Sequence, residues 1–211
     1  MKRVLQAATA SVCLALALPA QAEVFSVRLG AHNVDPKSNN GQLAGLDANV
    51  SSETNATLGV SWNVTPNLST DLWVGLDGFR HDVSLAGAGA AFGVGTDTVA
   101  SVRHRPLTLG VNYHFGDGAF RPFIGAGYGW ISVGGERGVG ALEGAEVSAS
   151  SANGFTWTVG ADILFGDNVF LRADARRLDF DTDVSVPALG GPVGTVNVDP
   201  WVFGVSLGYR F

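Results

Sequence analysis

Residues 199–211 read DPWVFGVSLGYRF. Trp201, Phe203, Val205, Leu207, Tyr209 and Phe211 fall at alternate positions, with Pro200, Val202, Gly204, Ser206, Gly208 and Arg210 between them. Successive side chains of an extended strand point to opposite faces, so this stretch is a two-faced ribbon. One face is large and apolar to its last residue; the other is small or polar. Such a ribbon suits a wall with hydrocarbon on one side.

Seven more ribbons of the same kind precede it, near 23–33, 53–63, 68–78, 99–115, 120–133, 154–165 and 169–180. In the second, Leu58, Val60 and Trp62 alternate with Thr57, Gly59 and Ser61; in the sixth, Phe155, Trp157, Val159, Ala161, Ile163 and Phe165 alternate with Thr156, Thr158, Gly160 and Asp162. About ten alternating residues suit a tilted strand that crosses a bilayer. The links alternate in length. VTPN, GDGA and GDN are tight turns rich in the residues such turns require. Between them lie long links near 34–52, 81–98, 134–153 and 181–198, full of Gly, Ala, Ser and Asn. The expected fold is all-β, an eight-stranded antiparallel transmembrane β-barrel with short periplasmic turns and long extracellular loops. An even strand count lets the first and last strands pair, which removes the open edges that lipid does not tolerate.

The first residues support the same address. Lys2 and Arg3 precede the apolar run VCLALAL, and Pro19 then Ala20-Gln21-Ala22 form a small-x-small cleavage site, so residues 1–22 read as a cleaved signal peptide. The remaining domain, 23–211, contains no cysteine, since Cys13 lies in the leader. Without Lys2 and Arg3 the chain has 11 basic against 19 acidic side chains, a net charge of 11 − 19 = −8. That balance argues against nucleic acid as a partner. Mean hydropathy is positive and glycine occurs 29 times, yet no later stretch approaches the roughly 18 apolar residues of a membrane helix. Aromatic residues gather at ribbon ends, including Trp62, Tyr113, Phe115, Phe120, Trp130 and Phe165, as membrane interfaces favour.

The interior of so small a barrel holds side chains or one small ligand. The alternation sets Trp73, Phe123, Leu164 and Phe170 inside as an apolar lining, either as packing or as the wall of a conduit. It also sets Arg28, Asp71, Arg121, Asp162, Arg172, Asp174, Arg176 and Arg210 inside. Unpaired charges in a narrow tube are costly, so these are expected to pair across strands and to close the barrel floor. Asp179, Asp181 and Asp183 share a face at the top of the seventh ribbon and are expected to form a solvated acidic rim rather than a calcium loop. His32, His81, His104 and His114 show no paired metal-ligand spacing, and no cofactor is implied.

Five stretches together resemble the OmpW family of outer-membrane proteins: FRH at 79–81, HRPLTLGVNYHFGD at 104–117, FRPFIGAGYGW at 120–130, LDFDTD at 178–183 and VDPWVFGVSLGYRF at 198–211. The family pattern more often has an apolar residue before the proline of HRP, where this chain has Arg105. The resemblance implies a small eight-stranded barrel with a narrow, largely hydrophobic lumen, associated with uptake of small hydrophobic molecules rather than bulk salt and with lateral exit into the membrane. It also implies that Tyr209 and Phe211 act as the signal read by barrel-assembly machinery. The expected partners are outer-membrane lipids, lipopolysaccharide and that machinery, with the barrel itself a monomer. Two other functions compete. One is a plugged structural or adhesive barrel that presents its loops. The other is a lipid-modifying enzyme using His81 or His104 with Ser84 or Ser101, for which no nucleophile-elbow motif is present.

Overall fold

In a computed structural model that describes residues 24–211, the chain is almost wholly strand. The leader reading of 1–22 lies outside the described residues. In chain order the elements are β1 (Phe25–Asp35), β2 (Gln42–Leu43), β3 (Leu46–Val50), β4 (Glu53–Asn63), β5 (Leu68–Gly75), β6 (Phe79–Leu85) and a single helical turn, α1 (Ala88–Phe92). There follow β7 (Thr98–His114), β8 (Phe120–Gly138), β9 (Ser148–Ala149), β10 (Ala152–Phe165), β11 (Val169–Leu178), β12 (Asp181–Val186), β13 (Gly191–Asn197) and β14 (Trp201–Arg210).

Eight of these strands close a wall in the order β1, β4, β5, β7, β8, β10, β11, β14 and back to β1, every pairing antiparallel. They correspond to the eight alternating ribbons. The closing pair runs from Ser26 opposite Arg210 to Asp35 opposite Trp201, so the barrel has no open edge along this seam. Alternation sets the two faces. Leu29, Leu109, Ile124, Val159 and Leu207 stand exposed outside, whereas Thr57, Ser61, Thr108, Thr156 and Ser206 are buried inside. The exterior is thus more apolar than the interior, the reverse of a soluble barrel.

The long links are not bare loops. β6 pairs with the upper half of β7, β3 pairs with β6, and β9, β12 and β13 form a separate three-stranded sheet. β8 has 19 residues; at about 3.3 Å per residue and a 45° tilt it rises roughly 45 Å, well beyond an apolar band about 25 Å tall. The upper wall and its added sheets therefore stand above the apolar band. Their alternation is interrupted by bulges, at Ser101/Arg103 between β7 and β8 and at Val184/Ser185 between β12 and β13, and by turns at Gly87, Gly93 and Gly190. For that reason these segments show no clean period of two in the sequence.

The interior has two tiers. In the membrane tier it is polar and charged. Above it lies the apolar cluster, built from Val50, Val83, Leu85, Val99, Val102 and Val196 among others. A charge placed mid-strand on the outer face meets hydrocarbon, so Val205→Arg is expected to lower the unfolding free energy in lipid vesicles by about 2–4 kcal/mol, while Val205→Leu leaves it unchanged. Urea titration followed by tryptophan emission measures both.

Candidate functional site

Across the membrane tier three carboxylates meet three guanidinium groups. Arg28 on β1 contacts Asp71 on β5 and Ser61 on β4, and the Ser61 hydroxyl donates to Asp71 Oδ1 at 2.6 Å. Arg172 on β11 grips Asp162 on β10 through Nε at 2.6 Å and Nη2 at 2.8 Å, and its Nη1 lies 3.7 Å from Asp71. Arg176 donates to Thr108 Oγ1 at 2.6 Å and approaches Asp71 at 3.6 Å and Asp174 at 3.7 Å. Two histidines extend the set: His114 Nε2 lies 3.3 Å from Asp162, and His32 Nε2 lies 3.3 Å from Asp174. Every one of these carboxylates and guanidiniums is buried. Opposite charges in equal number, joined from opposite walls, offset one another where single buried ions would each cost several kcal/mol.

The aromatic residues of this tier are stacked on two of these arginines and on Arg210. The Arg172 guanidinium carbon lies 4.3 Å from the Phe123 ring centroid, that of Arg176 4.7 Å from Trp73, and that of Arg210 5.1 Å from Phe170. Desolvated cation–π contacts of this kind stabilise by up to about 2 kcal/mol each. Gly208 gives Phe170 its seat, since a Cβ there would lie 2.3 Å from the ring. Sequence alternation separates an apolar lining from a charge cluster; in space Trp73, Phe123 and Phe170 are interleaved with the charges, so within this tier the lumen is not the apolar passage expected. Leu164 is half-buried beside the short turn that follows β10. Arg121 is half-buried and donates to the Pro66 carbonyl at the neighbouring turn. Together these side chains form a plug.

The apolar space lies higher. A cavity of about 50 Å³ is walled by Leu43, Val50, Val83, Val99, Val186 and Val196 with neighbours of the same kind. Between it and the plug sits an aromatic layer. Phe79 is fully buried and stacks on Trp73 with centroids 6.4 Å apart; His81 and His104 lie 5.2 Å apart, and His104 packs edge-on to Phe180 at 6.2 Å. His81 Nδ1 donates to the Ser51 carbonyl at 2.6 Å. Burial holds the His81 ring below the usual histidine range despite that bond and the nearby Glu53 and Asp82, so it is neutral at neutral pH. Ser84 Oγ lies beside Thr98 Oγ1 at 3.4 Å, and among the described residues no hydroxyl–imidazole pair joins Ser84 or Ser101 to either histidine. Of the acidic rim, Asp179 accepts from Arg177 at 3.1 Å and Asp183 from the Thr195 hydroxyl at 2.7 Å.

The match to known proteins is consistent along the chain. Residues 21–211 match the OmpW family. The chain belongs to that family. Outer membrane protein W of Escherichia coli (strain K12) is 30% identical over 205 residues, covering 90% of each chain. Outer membrane protein AlkL of Ectopseudomonas oleovorans is 27% identical over 191 residues, covering 88% of this chain and 78% of that one. The crystal structure of the outer membrane protein OprG from Pseudomonas aeruginosa aligns with a TM-score of 0.75 at 25% identity, over 89% of this chain and 95% of that chain. This is accordingly an outer-membrane barrel whose short turns face the periplasm and whose long excursions face outward.

The sequence reading missed Phe79, Phe180 and the valine-lined cavity. The signals were present but short: HDVSL at 81–85 and TVNV at 195–198 each alternate for only four or five residues. Removing one partner from the plug leaves a buried charge alone. Arg172→Met is expected to cost about 3–5 kcal/mol of unfolding free energy, and adding Asp162→Leu is expected to recover most of it. Urea unfolding in vesicles tests the pair.

Proposed function

We propose that the barrel admits small hydrophobic molecules through its outer cavity and releases them sideways into the membrane. The observation that carries this reading is the order of the two tiers: apolar space outside, a charge-paired plug within. Each 100 Å² of apolar surface that a passenger moves from water to apolar walls gains roughly 2.5 kcal/mol. To continue straight down it must separate buried ion pairs at about 3–5 kcal/mol each. The axial route is therefore unfavourable, and a route through the wall is favoured.

The wall has a weak place at the right height. The ladder between β5 and β7 ends at Val74 opposite Leu107, and resumes between β6 and β7 at Phe79 opposite His104. Pro106 lies in the interval and has no N–H to give. Phe79 covers this break from inside: a Cβ on Gly75 would lie 2.8 Å from its ring and 3.6 Å from Pro106. Swinging the Phe79 ring aside opens the cavity toward the outer leaflet without breaking a ladder hydrogen bond at Pro106. The residues assigned to this function are Phe79 as the gate, Pro106 and Gly75 as its frame, and the valines as the receiving wall. The conduit is passive and monomeric, and no bond of the passenger is made or broken.

The test is entry of a small hydrophobic fluorophore into liposomes, with potassium chloride conductance recorded alongside. Wild type is expected to speed entry with little salt conductance, Phe79→Ala to speed it further, and Val99→Arg to abolish it. Entry no faster than through empty liposomes overturns the proposal.

A further inference from the structure

Three arginines stand apart from the plug. Arg80 on β6 and Arg103 and Arg105 on β7 face outward, and with Ser132, Val133 and Gly134 on β8 they line a groove of about 270 Å³. Among the described residues these three guanidiniums have no hydrogen-bond or ion-pair partner, in contrast to Arg28, Arg172, Arg176 and Arg177. Arg80 and Arg103 are moreover directly opposite each other in the β6–β7 ladder. Like charges in that relation destabilise a strand pair unless something of opposite charge lies between them. The nearest step outward on β6 carries Asp82, which forms no ion pair with them. The chain is otherwise acidic, so the cluster is not a sample of a generally basic surface.

Its height fixes what it meets. Arg105 continues the outward phase of Leu107, Leu109 and Val111, and pairs with Ser132 one step above the Leu107–Trp130 pair. Trp130 belongs to the aromatic belt, which sits where acyl chains give way to headgroups. The arginines thus reach the layer of lipid headgroups from the side. Gly78, at φ +74°, lets the stems lie close: a Cβ there would stand 2.7 Å from Arg105 Cγ and 3.1 Å from Arg103 Cγ. Three guanidinium forks converging on one groove suit a phosphate, which each can grip through two N–H donors.

We propose that Arg80, Arg103 and Arg105 form an outward-facing binding site for a phosphate group of an outer-leaflet glycolipid, the lipid A part of lipopolysaccharide. The site lies outside the β5–β7 break but does not depend on transport there. Its chemistry would also accept free phosphate; the acyl-facing ladder directly below favours the lipid.

The full mature barrel is loaded in detergent with phosphorylated lipid A, and retained lipid is counted by native mass spectrometry. One tightly retained lipid A is expected for wild type and for Arg137→Gln, which removes an exposed arginine outside the groove. Arg105→Gln is expected to weaken retention about tenfold, and the Arg80→Gln, Arg103→Gln, Arg105→Gln triple variant to abolish it, as is dephosphorylated lipid A with the wild-type barrel. Unheated gel mobility verifies that each variant is folded. Equal retention by wild type and the triple variant, or by phosphorylated and dephosphorylated lipid, overturns the assignment. Displacement of lipid A by millimolar inorganic phosphate alone overturns the lipid as the occupant.

Discussion

Hydrocarbon offers no partner to a backbone N–H or C=O, so every strand that crosses it must be paired on both sides. In this chain that constraint is met by eight strands closing on themselves, with β1 and β14 as the seam. A barrel of eight strands has almost no room inside. What fills it is consequently not a detail of packing. Here the filling is a set of three carboxylates and three guanidiniums drawn from opposite walls, with Asp71 touched by Arg28, Arg172 and Arg176. These contacts join β1, β5, β10 and β11 across the bore, where the ladders join only neighbours around it.

The plug also gives the outer cavity its meaning. On the proposed route, an apolar tier continued downward would let a passenger run through to the periplasm, and a charged tier continued upward would admit none. The change from one to the other occurs across Phe79 and Trp73, which stack on each other while Trp73 also carries the Arg176 guanidinium on its face. The same height is where Pro106 interrupts the β5–β7 ladder. A polar floor, the buried Phe79 ring and a proline with no N–H fall together, and the basic groove of Arg80, Arg103 and Arg105 lies just outside them.

Much of this was legible in the sequence where the physics is local. Period-two alternation marked each wall strand, because each is long enough and lipid demands an unbroken apolar face. The same rule placed Asp71, Asp162 and Arg172 inside, and even the crowded β11 kept its phase, with Phe170, Arg172, Asp174 and Arg176 buried. What alternation could not supply was depth and partnership. Phe123 and Arg172 are distant in sequence, and nothing in either strand says that one ring lies under the other guanidinium. The outer tier was hidden for a second reason: its strands are short, bulged and separated by glycine turns, so Val50, Val83, Val99 and Val196 look like scattered apolar residues until β3, β6, β7 and β13 bring them to one cavity.

The central claim is that a hydrophobic guest occupies the outer tier and leaves through the wall without entering the plug. Photolabelling with a small apolar diazirine, followed by peptide mapping of the folded barrel in vesicles, tests it directly. Among inward-facing residues, labels are expected on Val83, Val99 and Phe79 and in the Gly75–Pro106 interval, with none on Phe123, Phe170 or Gly208. Labels distributed down the bore to Phe170 and Gly208 would contradict the account and make the passage axial.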